Sequence, residues 1–380
     1  MSSQPIEETG GPGREITPFY LSDASADAAM TYFYGRLFAA EPEIRAMFPA
    51  TLAAPRRRLY ASLCRIATGM RHGDSGLEPY LAALGRAHRK FGVRPEHYPA
   101  VREALDATFL RYPPDAGRWT DLERTAALSR AAEVMTAAAI ADPGPAWWTA
   151  EVVSHELRTP YVAVLTLRPG QDYPYLPGQH ATVQTPHWPR VWRRYSIANA
   201  PGGRDGTLTL HVRVVAGGLV STALLHARPG DTVLLGPAEG SMTADTGSPR
   251  DALCLAGGTG LAPLKAVAEA LLAGPARPEG TRRRVTLYFG ARTEADLYDL
   301  PALRAMERDF PSLTVRTATS EEYSPWALHG TITAVAAEGD WQDRDIYISG
   351  PDAMIARAVR RLTDHGVPPA RLRYDLPERG

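Results

Sequence analysis

Cysteine is scarce in this sequence: only Cys64 and Cys254 occur among 380 residues. Two isolated thiols speak against a disulfide framework or a thiolate metal site, so both are predicted to be small core residues. Net charge is also absent, because 42 basic residues balance 42 acidic ones, and no field draws the chain to nucleic acid or an anionic membrane. An apolar run of about eighteen residues and a signal-peptide pattern are lacking too, which favours a cytoplasmic protein without a membrane span.

What is present divides the chain into parts of different character. The first part, residues 1–18, is polar and predicts a disordered tail. Residues 19–142 carry apolar side chains at helical spacing, which predicts an all-α domain. Short β patterns between turn residues predict an antiparallel β-barrel over 148–246, and alternating strands and helices predict an α/β domain with a parallel sheet over 250–380. The fold class is therefore multidomain.

The segment Leu253–Leu264 is the most informative one, because an apolar strand breaks into glycines and restarts as a helix. Glycines let backbone N–H groups approach an anion, and a helix N-terminus adds partial positive charge. The spacing differs from G-x-G-x-x-G, so by itself the segment could also be an ordinary tight turn. Its candidate nucleotide-binding residues are Gly257, Gly258, Thr259, Gly260 and Pro263.

A second motif, Arg193-Arg194-Tyr195-Ser196, stands about sixty residues upstream. An arginine, an aromatic ring and a hydroxyl on one strand can pair a phosphate, stack on an isoalloxazine ring and hydrogen-bond its polar edge. Between the two motifs, the glycine pair Gly217-Gly218, followed by Val220 and Ser221, offers backbone donors for a pyrophosphate.

Taken together, these motifs resemble the ferredoxin-reductase-like flavoenzymes. Further segments match in order: Pro177-Gly178-Gln179, Tyr288 to Arg292, and Tyr347-Ile348-Ser349-Gly350-Pro351. The resemblance implies that FAD is held by Arg193, Tyr195, Ser196, Gly218, Val220 and Ser221. It also implies that a nicotinamide dinucleotide is held by the glycine segment together with Ser349, Gly350 and Pro351.

The helical part should hold an electron acceptor, and its histidines are the candidates. Only His72, His88 and His97 occur there, which is too few for a multi-histidine cage and enough for a haem axial ligand. His88 lies four residues after Leu84 and can share the apolar face of its helix. From this pattern alone, His88 could equally be an ordinary core histidine.

The segment from His88 to Tyr98 resembles the proximal region of bacterial flavohaemoglobins, and the stretch from Tyr32 to Phe48 resembles their distal helix and corner. The resemblance covers nearly the whole chain and implies a globin domain followed by FAD and NAD domains. It implies His88 as the ligand of haem b iron and Tyr34 as a hydrogen-bond donor to dioxygen. Phe48 would wedge the haem, and Tyr98 would stand near the proximal histidine.

Several positions depart from the family pattern. Where a distal glutamine is usual, the matching gives Pro55 or, with another gap, Arg58. The glutamate that completes a tyrosine–histidine–glutamate network is replaced, by Ala139 in the simplest matching. Loss of that carboxylate predicts dioxygen binding and oxygen transfer rather than peroxidase-like O–O cleavage. Ser349 stands where a cysteine is usual, and Tyr374 is the candidate for a missing C-terminal aromatic.

The resemblance implies an enzyme that passes electrons from NADH through FAD to haem and converts nitric oxide to nitrate with dioxygen. NADH is favoured over NADPH because Glu321 and Glu322 would repel a 2′-phosphate. The small molecules dioxygen, nitric oxide and NADH are the expected partners of a monomer or weak dimer. The alternatives are a haem-dependent oxygenase or oxidase of another substrate, an oxygen-binding redox sensor with its own reductase, and a plain NADH:flavin reductase.

Overall fold

The structure is a computed structural model that describes residues 21–113, 120–202, 205–275, 280–335, 341 and 343–375. The expected tail at 1–18 lies outside these ranges. Contacts divide the chain into two compact units, the first ending at Gly144 and the second beginning at Pro145. In the part of the chain that the structure describes, no helix is both long and apolar enough to cross a bilayer.

The first unit is helical. Its α-helices are α1 (Asp23–Ala40), α2 (Ala53–His72), α3 (Leu77–His88), α4 (Tyr98–Arg111) and α5 (Asp121–Ala141), with short 3₁₀ turns at Pro42–Met47, Arg89–Phe91 and Pro95–His97. Side chains set the helix ends: Thr120 and Glu123 form a capping box at the start of α5, and Gly73, at φ +63°, ends α2 in a left-handed conformation. The boundaries follow local capping chemistry.

Two apolar clusters hold this unit together. The larger one joins α1, α2 and α4 through residues such as Phe33, Leu37 and Phe109, each at most 2% exposed. The smaller one joins α2, α3 and α5 around Leu81. Helix α3, which carries His88, is therefore packed against α5 along its apolar face.

The second unit begins with an antiparallel sheet of six strands. They are β1 (Trp148–Thr159), β2 (Val162–Pro169), β3 (His180–Gln184), β4 (Arg193–Ser196), β5 (Leu208–Arg213) and β6 (Thr232–Leu235), in the order β4-β3-β6-β1-β2-β5. The two ends meet where Ile197 bridges Leu210 and the Ala198 amide donates to the Thr209 carbonyl at 2.8 Å. This contact closes the sheet into a barrel. Helix α6 (Leu219–Leu225) follows β5.

The rest of the second unit is a six-stranded parallel sheet with helices. Its strands are β7 (Ala252–Gly257), β8 (Val285–Ala291), β9 (Leu313–Thr319), β10 (Leu328–His329), β11 (Asp345–Ser349) and β12 (Leu372–Arg373), in the order β10-β9-β8-β7-β11-β12. Its helices are α7 (Leu261–Ala273), α8 (Leu300–Asp309), α9 (Ile332–Val335) and α10 (Asp352–Asp364). The predicted fold class, a helical domain followed by an antiparallel barrel and a parallel α/β domain, is confirmed.

Both cysteines are uncrosslinked core or near-core residues. Cys254 is buried in β7, where burial raises its thiol pKa to about 12. Cys64 is partly buried in α2, and burial raises its pKa as well.

Candidate functional site

His88 ends helix α3 with its ring oriented by its own helix. Its Nδ1 atom donates to the Leu84 carbonyl one turn earlier, at 2.6 Å. Burial lowers the pKa of His88, the Leu84 hydrogen bond opposes that shift, and the charge of Lys90 adds to it. Because Nδ1 carries the donated proton, Nε2 is the nitrogen with a free lone pair, which is the arrangement of a metal-ligating imidazole.

Tyr34 and Phe48 lie together in the larger apolar cluster of the helical unit. The two rings make an edge contact with centroids 5.3 Å apart, and Tyr34 also packs against Phe38 at 5.7 Å. Burial raises the pKa of the Tyr34 hydroxyl, and the charge of Arg56 opposes the shift. Within the described ranges the hydroxyl has no hydrogen-bond partner, so a buried donor is available to a small ligand.

Tyr98 begins helix α4 and packs against the cluster around Leu81. Neither its hydroxyl nor the His88 ring bonds to a carboxylate in the described part of the chain, and no hydrogen bond joins Tyr98 to His88. Ala139, in α5, offers no such group. His88 therefore has a backbone carbonyl as its hydrogen-bond acceptor, where a tyrosine–histidine–glutamate network would have a carboxylate.

One charged residue that influences the pKa of Tyr34 was not predicted from the sequence. Pro55 and Arg58, the two residues matched to the position of the distal glutamine, both lie in α2. It is Arg56 that acts on Tyr34, while its guanidinium pairs Asp27 at 3.0 Å and donates to the Thr31 hydroxyl. Which side chain of α2 lies near Tyr34 depends on the rotational position of each residue around the helix.

The predicted flavin residues lie on β4 and at the start of α6. Tyr195 pairs Ala181 of β3 and packs against the barrel core, and burial raises its pKa. Arg193 is exposed, and Ser196 pairs His180 on the same strand ladder. These positions give a planar ring flanked by a cation and a hydroxyl.

The glycine pair before α6 is a tight turn. Gly217 has φ +71°, and a Cβ on Gly218 would overlap the Ser221 hydroxyl. That hydroxyl donates to the Gly218 carbonyl at 3.2 Å, and Val220 is fully buried beneath the turn. The Gly218 amide donates to the Val215 carbonyl at 2.9 Å, so the backbone donors for an anion would be those of the first turn of α6, which follows.

The two predicted nucleotide segments meet at one edge of the parallel sheet. Strand β7 pairs β11 with Ala256 opposite Ser349, so the loops that follow both strands are neighbours. A Cβ on Gly260 would overlap the Ser349 carbonyl, and one on Gly257 would overlap Met354 and lie 3.2 Å from Pro351. The glycines are thus required by the close approach of the two loops.

The edge is completed by Gly258, Thr259 and Gly350. Pro263 is buried in the first turn of α7. Gly258 has φ +55°, in the left-handed region, and α7 starts directly after the glycine turn. Proline in a first helical turn lacks an N–H that would otherwise be unpaired. A helix N-terminus therefore stands at the carboxyl ends of β7 and β11, the usual ligand side of such sheets.

Arg213 is a functional candidate that motif reading did not find. It ends barrel strand β5, and its Nη1 atom lies 3.8 Å from the position that a Cβ would take on Gly258. The structure gives Arg213 no ion-pair partner among the residues it describes. A cation from the barrel thus lies beside the glycine turn of the α/β domain. The two segments are far apart in the sequence and meet only in the folded protein.

A cavity of about 410 Å³ opens beside the carboxyl ends of β8 and β9. It is lined by Arg158, Thr159, Pro160, Tyr161, Arg292, Thr293, Ala295, Asp296 and Glu321. Glu321, expected from the sequence to disfavour a 2′-phosphate, is in this lining, and two arginines that were not predicted accompany it.

Comparisons with known proteins identify the two domains of the second unit. Residues 149–243 match the family model of the oxidoreductase FAD-binding domain, and residues 254–360 match that of the oxidoreductase NAD-binding domain. The Flavohemoprotein of Bordetella parapertussis is 28% identical over 385 residues, which cover 92% of this chain and 93% of that protein. Over nearly its whole length, the chain is similar to flavohaemoglobins.

Other similarities concern parts of the chain or its fold. The ferredoxin–NAD(P)+ reductase component of the naphthalene 1,2-dioxygenase system of Pseudomonas putida is 33% identical over 232 residues, 59% of this chain and 67% of that protein. The electron transfer component of the xylene/toluene monooxygenase of the same organism is matched over 62% of its length. The structure of the flavohemoglobin from Malassezia yamatoensis shares the fold, with a TM-score of 0.73, 17% identity and coverage of 93% and 94% of the two chains.

The two domain models make the chain an oxidoreductase, and the similarity to flavohaemoglobins supports an NAD(P)H–FAD reductase linked to a globin. The expected FAD and nicotinamide dinucleotide are confirmed by the two domain models, and the expected haem follows from that similarity. The roles of individual residues stay predictions.

Proposed function

We propose that this protein is a nitric oxide dioxygenase, which uses electrons from NADH and dioxygen to convert nitric oxide to nitrate. The observation that carries the proposal is the orientation of His88, whose Nδ1–H is held by the Leu84 carbonyl so that Nε2 can ligate iron. A reductase half with matched FAD and NAD domains supplies the electron source.

The helical unit fits a haem. His88 would hold the iron, the Phe48 ring would pack against the macrocycle, and the Tyr34 hydroxyl would donate a hydrogen bond to a small ligand. The edge contact between Tyr34 and Phe48 restricts both rings, so the hydroxyl is pre-oriented. A pre-oriented donor stabilises negative charge that develops on an oxygen ligand.

The reductase half fits its two cofactors. Arg193, Tyr195 and Ser196 would contact FAD on the barrel strand, with the turn of Gly218, Val220 and Ser221 at its pyrophosphate. The residues for the nicotinamide dinucleotide would be Gly257, Gly258, Thr259, Gly260, Pro263, Ser349, Gly350 and Pro351. Arg213 would pair a phosphate at the glycine turn.

When bound, the flavin accepts a hydride and releases single electrons, and the haem uses them for dioxygen chemistry. NADH is the proposed donor. The Glu321 carboxylate in the cavity at β8 and β9 repels a 2′-phosphate and accepts hydrogen bonds from ribose hydroxyls. Arg158 and Arg292 in the same lining would serve the phosphates that both dinucleotides share.

The test is NADH-driven consumption of nitric oxide in aerobic buffer, using protein with stoichiometric haem and flavin absorbance. The expected result is fast consumption with nitrate as product, lost in His88→Ala, while NADH still reduces the flavin of that variant. Slow consumption in spite of rapid haem reduction would overturn the proposal in favour of an oxygenase of another substrate or an oxygen-binding sensor.

A further inference from the structure

Helix α7 follows the glycine turn and carries only two polar residues, Lys265 and Glu269, among its thirteen. They are four positions apart, so they lie on the same face. The other faces are apolar and largely buried in the core of the α/β domain. A charged pair on an otherwise apolar helix needs polar partners. The partners of this pair lie in the barrel or in residues that contact the barrel.

Glu269 bonds directly to the barrel. Its Oε2 atom accepts from the Ala200 amide at 2.8 Å, and Ala200 is four residues beyond Ser196, the last residue of β4. Burial raises the pKa of Glu269, while the Ala200 hydrogen bond and the charge of Lys265 lower it. One end of the polar face of α7 is thus joined to the segment that follows the flavin strand.

Lys265 reaches the barrel through two further residues of its own domain. Its Nζ atom pairs Asp299 at 2.9 Å, and Asp299 is 1% exposed. The preceding residue, Tyr298, places its hydroxyl 2.7 Å from Nδ1 of His211, which is 4% exposed on β5. The neighbouring Leu210 bridges Ile197, directly after the flavin strand.

We propose that the polar face of α7 positions the nicotinamide loop against the flavin strand. Its first attachment to the barrel is the hydrogen bond of Glu269 with Ala200. Its second runs from Lys265 to Asp299, which lies 3.7 Å from Arg158 and 3.9 Å from His211, beside the hydrogen bond between Tyr298 and His211. This inference rests on the proposed function, in that NADH is taken to reduce FAD at this site. Helix α7 begins at the glycine turn, so a rotation or shift of the helix moves the turn with it. Hydride transfer is sensitive to displacements of about 1 Å, which cost on the order of 100-fold in rate.

The critical variant is Glu269→Ala, measured by rapid mixing of the flavin- and haem-loaded protein with NADH. We expect the limiting rate constant of flavin reduction to fall by about 10- to 100-fold, with the Kd for NAD+ and the flavin content changed less than about threefold. Glu269→Gln keeps an acceptor oxygen for the Ala200 amide and should recover most of the rate.

Glu307→Ala is the matched control. Glu307 also accepts a backbone N–H at 2.8 Å, from Val315, but both of these residues belong to the α/β domain. The Glu307→Ala substitution therefore removes a carboxylate–amide hydrogen bond of the same kind without changing a contact with the barrel. We expect it to leave the limiting rate of flavin reduction unchanged, whatever it does to the melting temperature.

Hydrogen exchange of the Ala200 amide gives a readout independent of turnover, and it should speed up in Glu269→Ala but not in Glu307→Ala. If Glu269→Ala does not fold, Tyr298→Phe removes the hydrogen bond to His211 with little change in volume. It should also slow flavin reduction, by less than Glu269→Ala because Asp299 keeps its contacts with Arg158 and His211. A wild-type rate in these variants, or equal slowing in Glu307→Ala, would overturn the inference. A wild-type protein whose flavin NADH does not reduce would instead overturn the proposed function.

Discussion

Gly85 of α3 lies against the backbone of Met135 in α5, so closely that a Cβ on Gly85 would overlap the Met135 carbonyl oxygen and Cα. This contact is the crossing point of the two helices, and it stands one turn before His88. The absence of a side chain at Gly85 therefore sets how near α3 approaches α5, and with it the position of the histidine.

Gly85→Ala should destabilise the helical unit and disturb haem binding. Relief of the overlap requires the helices to separate, which we expect to cost about 1–3 kcal/mol of unfolding free energy. Urea unfolding and haem titration of the variant measure both effects.

Gly35→Ala is the control for Gly85→Ala, because Gly35 is also a helical glycine and a Cβ there would meet nothing within 4 Å. Alanine at an unobstructed helical position should stabilise the protein by about 0.5–1 kcal/mol. If both variants changed stability in the same direction, the crossing contact would not be the cause.

Gly260→Ala should abolish reduction of the flavin by NADH while FAD stays bound. Its Cβ would overlap the Ser349 carbonyl and push apart the loops that follow β7 and β11. Stopped-flow flavin reduction and flavin content measure the two properties separately. In Gly247→Ala, at an exposed site between the barrel and the α/β domain with its nearest neighbouring atom at 3.7 Å, reduction should proceed normally.

Arg213→Gln should weaken the binding of the nicotinamide dinucleotide. The guanidinium beside Gly258 offers a charge-assisted hydrogen bond to a phosphate, and its loss should raise the Kd for NAD+ by about tenfold. The salt dependence of binding should also become shallower. Calorimetric titration at two ionic strengths checks both, with Arg168→Gln, at an exposed position of β2, as the comparison; an unchanged Kd would remove Arg213 from the site.

Glu321→Gln should improve the use of NADPH. Without this carboxylate, the lining of the cavity at β8 and β9 keeps Asp296 and two arginines, so repulsion of a 2′-phosphate falls and kcat/KM for NADPH should rise by about tenfold relative to NADH. Glu294→Gln alters a carboxylate of the neighbouring loop, after β8, that is not in the cavity lining and should leave the ratio as it was. A greater effect at Glu294 would place the discrimination elsewhere.

His211 should make stability depend on pH in the acidic range. Burial lowers its pKa to about 4, with Asp299 opposing the shift and Lys265 and Arg158 adding to it. Between that value and the ordinary pKa of about 6.5, the unfolded chain binds a proton that the folded protein does not, so stability falls as pH falls. The contribution should be roughly 3 kcal/mol across this range.

His211→Asn should therefore give a flatter dependence of unfolding free energy on pH between about 6.5 and 4 than the wild type. Chemical unfolding at a series of pH values measures the slope, and His365→Asn, at an exposed histidine, provides the background. Parallel curves for wild type and His211→Asn would show that this buried network does not control acid stability.

The amino-acid sequence by itself determined the domain order, the fold classes and the main motifs. Helical spacing, alternating strands and the glycine turn at Gly257 to Gly260 are local patterns, and local patterns survive without knowledge of the tertiary fold. His88, Tyr34 and Tyr195 could be chosen for the same reason, because each lies within a short recognisable segment.

Only the tertiary structure decided how segments far apart in the chain meet. Arg213 stands beside Gly258, Glu269 accepts from Ala200, and Arg56 rather than Arg58 acts on Tyr34. These contacts depend on helical phase, strand pairing and the closure of the barrel, which no short stretch of sequence encodes. Chemistry can be read from residue types in a motif, whereas positioning arises from packing between elements, and packing is a property of the folded chain.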